Sequence, residues 1–203
     1  MIKIIDYGLG NILAFRNMYK RLNIEAVIAK TAADLEGATK LVLPGVGAFD
    51  HAMTELERSG MRQPLDKLVL EDKMPVIGIC VGMQMLANSS DEGELPGLGW
   101  IRGKVHGFKG LAQPDLLLPH MGWNDVTPRA GSKLFHALED EARFYFLHSF
   151  YFECEDAGDV AAVSSYGTEF PCAVSAGNIH GVQFHPEKSH HFGTQLLRNF
   201  AEI

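Results

Sequence analysis

An apolar run in the first half of the chain leads into the stretch Gly78-Ile79-Cys80-Val81-Gly82-Met83-Gln84. The pattern G-x-C-x-G is the thiol form of the nucleophile elbow, in which a strand turns sharply into a helix and presents the central residue at the turn. Glycine is needed two residues before and after that tip, because the turn brings neighbouring segments too close for larger side chains. The stretch therefore predicts a strand that ends at Cys80 and a helix over residues 81–88.

Cys80 is the candidate nucleophile of this turn. At a helix N-terminus the partial positive charge of the helix favours the thiolate over the thiol. The alternative is a small buried cysteine in an ordinary strand-to-helix junction. The elbow alone leaves both interpretations open, and only a base elsewhere in the chain can decide between them.

A candidate base follows about a hundred residues later, in the stretch Gly181-Val182-Gln183-Phe184-His185-Pro186-Glu187. Proline biases the residue before it toward extended backbone, so His185 and Glu187 can share a face and the carboxylate can orient the imidazole. Alone, this segment is equally well interpreted as a loop with a satisfied histidine. Combined with the elbow, it predicts a triad of Cys80, His185 and Glu187 for acyl transfer through a thioester.

An oxyanion formed at the attacked carbonyl needs preorganised N–H donors, and two segments can supply them. The elbow offers the N–H of Val81, and the turn Pro44-Gly45-Val46-Gly47 offers those of Val46 and Gly47 at a neighbouring strand end. Loss of one such donor typically reduces the rate by about 10²–10³. Without Cys80, the same segment would be interpreted as an ordinary turn after a strand.

The first 90 residues alternate between strand and helix patterns, which predicts a parallel sheet in a three-layer α/β domain with functional loops at the carboxyl ends of the strands. Asn11 is the expected N-cap of the first helix, and it and the turn at residues 44–47 belong at that end. Strands are predicted over residues 2–6, 25–29, 41–43 and 75–80, with helices over residues 12–22 and two short ones between residues 48 and 71.

The second half of the chain begins with a polar loop at residues 89–94 and continues with short β-like runs, which we assign to the same domain, residues 1–203. The strongest strand signal is the aromatic run at residues 144–152. Further strands are predicted over residues 100–101, 104–108, 124–126, 160–165, 173–175 and 179–184, the last three as successive strands of one sheet, with a closing helix over residues 192–200.

The composition is that of a globular chain, with 46% hydrophobic and 21% charged residues among 203. The net charge of −7 argues against a general nucleic-acid binder, and no apolar run approaches the roughly 18 residues of a membrane span. Three cysteines at wide spacings and an N-terminus without a signal-peptide pattern lead us to expect a cytoplasmic protein.

The remaining histidines and cysteines do not predict a further site. His190 and His191 lie near Glu187, but adjacent histidines in a polar segment lack the spacing of a closed zinc site. Cys154 and Cys172 lie in β-like runs and are expected to be packing residues. We therefore expect neither a metal nor a cofactor.

The two key stretches, Gly-Ile-Cys-Val-Gly-Met-Gln and Gln-Phe-His-Pro-Glu-Lys, resemble those of the class I, triad-type glutamine amidotransferases. Within that family the chain is similar from end to end to the glutaminase subunits of imidazole glycerol phosphate synthases. The subfamily resemblance is carried by Asp-Tyr-Gly-Leu-Gly-Asn at residues 6–11, Leu-Pro-Gly-Val-Gly at 43–47, Pro-His-Met-Gly-Trp-Asn at 119–124 and His-Ser-Phe at 148–150.

The resemblance implies a flavodoxin-like α/β/α fold with a mixed central sheet, and hydrolysis of L-glutamine to glutamate and ammonia at Cys80. It also implies a separate subunit in a heterodimer with a (β/α)₈ barrel. Ammonia would pass to this partner, which makes imidazole glycerol phosphate and AICAR in histidine biosynthesis.

Further site residues follow from the motif positions. Gln84 and Glu92 are expected to bind the glutamine, with His148, Ser149 and Phe150 lining its pocket largely through backbone atoms. Interface positions are also implied, although plain packing is the alternative for the two aromatic ones: Asn11, Trp123, Tyr145 and Lys188.

The chain departs from the family pattern at two positions, and other functions stay open. Val81 stands where leucine is usual, which leaves the backbone N–H in place, and Phe150 stands where tyrosine is common, which removes a hydroxyl near the glutamine site. A paralogous glutaminase that supplies ammonia for amidation of a sugar in surface-polysaccharide synthesis would have the same chemistry. A cysteine peptidase-like hydrolase and a non-catalytic interaction subunit are the alternatives from other classes.

Overall fold

Eight strands form the central sheet of the computed structural model, which describes residues 1–108 and 116–203. The first five strands in spatial order run parallel and the last three pair antiparallel, so the expected mixed sheet is confirmed. In that order the strands are β2 (Ala26–Ala29), β1 (Ile2–Ile5), β3 (Lys40–Gly45), β4 (Val76–Cys80), β13 (Ile179–Val182), β12 (Glu169–Ala176), β11 (Val160–Ser165) and β8 (Thr127–Pro128).

The helices cover both faces of this sheet. The chain moves outward in one direction from β1 to β2 and in the other from β3 to β4, and right-handed crossovers then place the intervening helices on opposite faces. Within the two described ranges, each helix is too short or too polar to cross a lipid bilayer. The helices are α1 (Ile12–Arg21), α2 (Phe49–Arg58), α3 (Arg62–Asp66), α4 (Val81–Gln84) and α5 (His190–Glu202).

Two smaller sheets lie beside the large one, and they show that the single strand predicted at residues 144–152 is wrong. The chain breaks at Ser149 into two strands that pair in different sheets. One small sheet contains β5 (Ser89–Ser90), β6 (Gly103–Gly107) and β10 (Phe150–Cys154), and the other contains β7 (His120–Asp125) and β9 (Arg143–His148).

The helix predicted over residues 81–88 ends at Gln84, because the N–H groups that would continue it bond to other carbonyls. The N–H of Leu86 donates three residues back, to Met83 at 3.0 Å, and that of Asn88 donates to the Gly103 carbonyl at 3.0 Å. Ile101 lies in a bend rather than in the predicted strand at residues 100–101, so that prediction is also wrong. The Ile101 side chain is buried, so the apolar character of this position reflects packing in the core rather than a strand.

Several other boundaries differ from the predicted ones. The third strand continues through Pro44 to Gly45 instead of ending at residue 43, and the polar loop at residues 89–94 begins with the two residues of β5. Asn11 occupies the N-cap position of α1, but its side chain makes no capping hydrogen bond, which corrects the expectation. The assignment of residues 1–203 to one domain stays a prediction.

Three glycines allow the elbow to form, because β3, β4 and the start of α4 approach one another at backbone distance. A Cβ on Gly82 would lie 1.9 Å from the Leu43 carbonyl oxygen. A Cβ on Gly78 would lie 2.5 Å from the Gly82 oxygen, and one on Gly45 would lie 2.4 Å from the Gly82 nitrogen. The predicted steric reason for glycine on each side of the cysteine is therefore present in the structure.

We expect Gly82→Ala to lower the free energy of unfolding by about 3 kcal/mol or more, since the clash is with main-chain atoms that cannot move independently. Gly60→Ala is the control. Gly60 has a φ of +70° with open space around its Cβ position, so this change introduces only left-handed strain of about 1–2 kcal/mol. Urea denaturation of both variants measures the difference, and equal destabilisation would contradict the packing argument.

Candidate active site

Cys80 lies at the tip of the elbow in a strained backbone conformation. Its φ of 56° and ψ of −114° lie outside the regions that L-residues normally occupy, at a typical energetic cost of about 1–3 kcal/mol. Its side chain is buried and lines the same cavity as the imidazole of His185. The fold thus directs the sulfur toward the candidate base.

The candidate base, His185, is fixed by main-chain and side-chain contacts just after β13. Its backbone N–H donates to the Tyr145 carbonyl at 2.8 Å, and its own carbonyl accepts from the Ser189 hydroxyl at 2.6 Å. The ring Nδ1 lies 2.9 Å from Glu187 Oε1. The structure therefore brings the three residues of the predicted triad together, and their catalytic roles stay a prediction.

The protonation of His185 follows from its surroundings. Burial by itself lowers the pKa of this imidazole, but the hydrogen bonds and charges of Cys80 and Glu187 outweigh burial and raise the pKa to about 9. The imidazole is consequently protonated at neutral pH, where it can stabilise a thiolate and hold a proton for a leaving group.

A cavity of about 300 Å³ opens over Cys80 and contains every predicted catalytic, oxyanion and glutamine-binding residue except Glu187, which lies behind His185. Pro119 and Leu147 also line it, although neither was predicted as a site residue. The predicted residues that line the cavity are Val46, Gly47, Cys80, Val81, Gln84, Glu92, His148, Ser149, Phe150, His185 and Lys188.

The predicted oxyanion segments meet next to the nucleophile. Gly45 pairs with Cys80 across β3 and β4, so Val46 and Gly47 leave the sheet directly beside the sulfur. Gly47 has a φ of +86°, and the side chain of Val46 is 39% exposed. Their function as oxyanion donors, like that of Val81, stays a prediction.

Gln84 has its amide group held by the protein. Its Nε2 donates to the Phe150 carbonyl at 3.3 Å and to Gln183 Oε1 at 3.0 Å. These two bonds use both amide hydrogens, which leaves the carbonyl oxygen for a ligand. Its predicted contact with glutamine remains a prediction.

Glu92 and Asp50 join two loops of the site in a reciprocal arrangement. Glu92 Oε2 accepts from the backbone N–H of Phe49, at the start of α2, at 2.9 Å. In return, the Asp50 carboxylate accepts from the N–H groups of Glu94 at 2.9 Å and Leu95 at 3.1 Å. Burial raises the pKa of Glu92. The sequence motifs identified Glu92 but contained no signal for Asp50, whose partners lie more than forty residues away.

Two buried histidines form a chain of hydrogen bonds that the sequence did not predict. The Phe150 carbonyl can only accept, so His148 donates to it from Nδ1 at 2.8 Å. His148 Nε2 therefore accepts from His120 Nδ1 at 2.9 Å, and His120 Nε2 accepts from the Asn124 amide at 3.2 Å. Burial lowers the pKa of His148 to about 3 and that of His120 to about 4, so both rings are neutral.

Three of the four predicted interface residues form one surface cluster beside the triad, which we call the aromatic cluster: Trp123, Tyr145, Lys188 and the additional His190. Trp123 stacks on His190 with ring centroids 5.4 Å apart, and Lys188 Nζ lies 5.6 Å above the Tyr145 ring. Trp123 is 41% exposed. Asn11, the fourth, is exposed at the start of α1, the helix that packs against the turn at Pro186–Lys188.

The fold and this site define a cysteine-nucleophile enzyme of the α/β class, built for acyl transfer at an elbow. The sequence model of the class I glutamine amidotransferases matches residues 3–203, and the chain belongs to that family.

Proteins that are similar to the chain over their full length support this family assignment. The chain is 63% identical to imidazole glycerol phosphate synthase subunit HisH of Bdellovibrio bacteriovorus, with all of both chains covered. It is 53% identical to HisH of Leptospira interrogans over the same full coverage, and 48% identical to HisH 2 of Methanococcus maripaludis, covering 100% of this chain and 99% of that one.

Solved structures confirm the fold. One glutamine amidotransferase superposes with a TM-score of 0.76 at 23% identity, covering 99% of this chain and 97% of the other. Another glutamine amidotransferase, from Thermotoga maritima, gives a TM-score of 0.65 at 19% identity, covering 99% of this chain and 82% of the other.

Replacement of Glu187 by glutamine should lower the pKa of His185, because the imidazolium loses its charged partner. A pKa raised from the ordinary value to about 9 stabilises the fold fully below about pH 6.5, and this contribution is lost as the pH rises through about 9. Glu187→Gln should therefore destabilise most near pH 6 and least above pH 9.

NMR titration of His185 and urea denaturation at pH 6 and pH 10 check this prediction. Glu139→Gln is a matched control, since Glu139 makes a solvent-exposed contact with His136 at 3.6 Å, and such surface pairs contribute little. An unchanged His185 titration in Glu187→Gln would show that the carboxylate does not determine the charge of the imidazole.

Asp50→Ala should weaken binding of glutamine about tenfold, because it releases the loop that carries Glu92 without removing Glu92 itself. Calorimetry with L-glutamine in a Cys80→Ala background measures the dissociation constant without turnover. Asp72→Ala removes a similar carboxylate at an exposed position outside the cavity and should have no effect. Equal affinities for the Asp50 and Asp72 variants would contradict a positioning role for Asp50.

Proposed function

We propose that the chain is the glutaminase subunit of an imidazole glycerol phosphate synthase, hydrolysing L-glutamine to glutamate and ammonia for a (β/α)₈ barrel subunit. The observation that carries the proposal is the assembled triad of Cys80, His185 and Glu187 at a cavity lined by the predicted glutamine-binding residues. The pathway assignment is supported by the names of full-length relatives at 48–63% identity.

The geometry accounts for the chemistry of the first half-reaction. The Cys80 thiolate attacks the side-chain carbonyl carbon of glutamine, and the negative charge moves to the carbonyl oxygen, beside the backbone of Val81 and the turn at residues 46–47. When this intermediate collapses, the C–N bond breaks and the protonated His185 gives its proton to the departing nitrogen. Ammonia leaves, and the glutamyl group stays on sulfur as a thioester.

The second half-reaction reuses the same base. Neutral His185 takes a proton from water, the resulting hydroxide attacks the thioester carbonyl, and the C–S bond breaks to release glutamate and restore the thiolate. Glu187 orients the imidazole through both steps and stabilises its charged form. The cavity volume of about 300 Å³ suits an amino acid rather than an extended peptide.

The aromatic cluster supports a docking surface for the barrel subunit. The cluster combines an exposed tryptophan, a partly exposed tyrosine and a nearby cation. Aromatic side chains and cations of this kind are enriched among the residues that dominate binding energy at protein interfaces. The cluster adjoins the triad, because Tyr145 accepts the backbone N–H of His185 and Lys188 lines the cavity. A partner seated there would cover the mouth through which ammonia leaves.

Glutamate release by the chain alone and by the complex with the barrel subunit and its ligand tests the proposal. We expect turnover with the histidine-pathway barrel and none in Cys80→Ala. If glutamate release is stimulated only by a barrel that amidates a sugar, the chain belongs to the paralogous pathway. Absence of turnover with either barrel would exclude a glutaminase, and digestion of casein would indicate a peptidase.

Trp123→Ala should weaken association with the barrel by about 2 kcal/mol or more, which is the usual loss at a central aromatic anchor. Leu70→Ala is the control, since Leu70 is 42% exposed and lies outside both the cavity and the aromatic cluster. Titration calorimetry with the barrel subunit measures both affinities. Identical affinities would place the interface elsewhere.

A further inference from the structure

A glutamine side chain that the triad does not include reaches the nucleophile. Gln183 is fully buried, and its backbone N–H donates to the Cys172 carbonyl at 2.9 Å, so its position is set by the main chain. Its amide Nε2 lies 3.8 Å from Cys80 Sγ, within hydrogen-bond range for sulfur. The sulfur therefore faces two groups, the imidazole of His185 and the amide of Gln183.

The orientation of the Gln183 amide, that is, which way its oxygen and its nitrogen point, follows from the Phe150 backbone carbonyl. The Phe150 carbonyl can only accept a hydrogen bond, so the group of Gln84 that faces it must be the NH₂. The same NH₂ faces the Gln183 side chain, which must present its oxygen there, at 3.0 Å. The NH₂ of Gln183 is then left to face Cys80.

The Phe150 carbonyl is itself held in place. It accepts from His148 Nδ1 as well as from Gln84, and His148 is fixed by His120 behind it. Because both imidazoles are neutral, this arrangement does not change protonation near neutral pH. Gln183 is thus a donor of fixed direction.

We propose that Gln183 is a positioning residue for the nucleophile, which donates an amide N–H to the Cys80 sulfur and thereby stabilises the thiolate relative to the thiol. A thiolate accepts hydrogen bonds far more strongly than a thiol does, so a fixed donor favours the ionised form. The proposal rests on the function proposed above, in which Cys80 is the nucleophile.

The other titratable groups around the sulfur do not supply this effect. His185, with Glu187 behind it, is the second donor and is common to all the variants below. Burial raises the pKa of Tyr7 well above its ordinary value, so this phenol is neutral throughout the experiment. Of the groups lining the cavity, His148 is neutral at the same pH and Glu92 is bonded to the N–H of Phe49. Lys188 also lines the cavity and is unchanged in all the variants below.

The test is the pH dependence of alkylation of Cys80 by iodoacetamide, which needs neither glutamine nor the barrel subunit. Gln183→Met removes the donor at similar size and should slow alkylation at pH 7 about fivefold. Gln183→Glu places a carboxylate against the sulfur, still held by Gln84, and should slow it at least tenfold. In both variants the rate profile should move to higher pH.

Mass spectrometry of the Cys80 peptide makes the measurement site-specific. The other two cysteines, Cys154 and Cys172, should also react little, because burial raises the pKa of both thiols. Gln63→Glu makes the same change of charge at an exposed position outside the cavity and should leave the profile unchanged. Wild-type profiles in both Gln183 variants would overturn the proposal. Alkylation of Cys80 does not require glutaminase activity. A failure of the proposed function and a failure of the proposal for Gln183 are therefore distinguishable.

A measurement on the unmodified side chain covers the case in which the Gln183 variants do not fold. In wild-type protein labelled with ¹⁵N-glutamine, the Gln183 amide protons should shift with pH at the midpoint of Cys80 alkylation. The shift should disappear in Cys80→Ser. Amide signals that do not respond to pH, or that respond equally in Cys80→Ser, would overturn the proposal.

Discussion

The close backbone approach between β3 and the start of α4 is the constraint on which the site depends. A glycine at position 82 lets the Leu43 carbonyl lie where any side chain would clash, and Gly45 is packed just as closely against the same turn. Within this tight turn Cys80 has a positive φ of 56°. It also places the turn at residues 46–47 directly beside the sulfur, because β3 ends next to β4. One steric requirement therefore positions both the nucleophile and the segment that faces its oxyanion.

Several residues of the site are held by backbone groups from elements that meet around the elbow. The main chain of His185 is held by the Tyr145 carbonyl from β9, and the side chain of Glu92 binds the N–H of Phe49 at the start of α2. The break at Ser149 turns the chain from one small sheet into another, and this turn presents the Phe150 carbonyl to Gln84. Backbone groups have little freedom to move within a sheet, so such partners define the direction of each side chain.

Sequence reasoning succeeded where the chemistry is local and failed where the partner is distant. The two elbow glycines lie four residues apart and His185 lies two residues from Glu187, and the two short patterns taken together predict the triad. By contrast, Gln183 meets Cys80 across 103 residues, and nothing in its own stretch of sequence indicates that contact. The helix after the elbow was overextended for the same reason. Its pattern is helical through residue 88, but the N–H of Asn88 donates to the Gly103 carbonyl, at the start of a strand whose position depends on the tertiary fold.

Tyr145 connects the surface of the protein to its chemistry. Its ring belongs to the aromatic cluster, while its carbonyl accepts the N–H of His185 at 2.8 Å, so one residue of β9 contacts both the surface cluster and the backbone of the base. A second route runs from Asn124 on β7 through two neutral histidines to the Phe150 carbonyl, which orients Gln84. Both routes begin on the paired strands β7 and β9 and end at groups that contact the sulfur or direct a contact to it. The outer ends of both routes therefore lie on one pair of strands outside the cavity, and their inner ends lie at the residues that surround the sulfur.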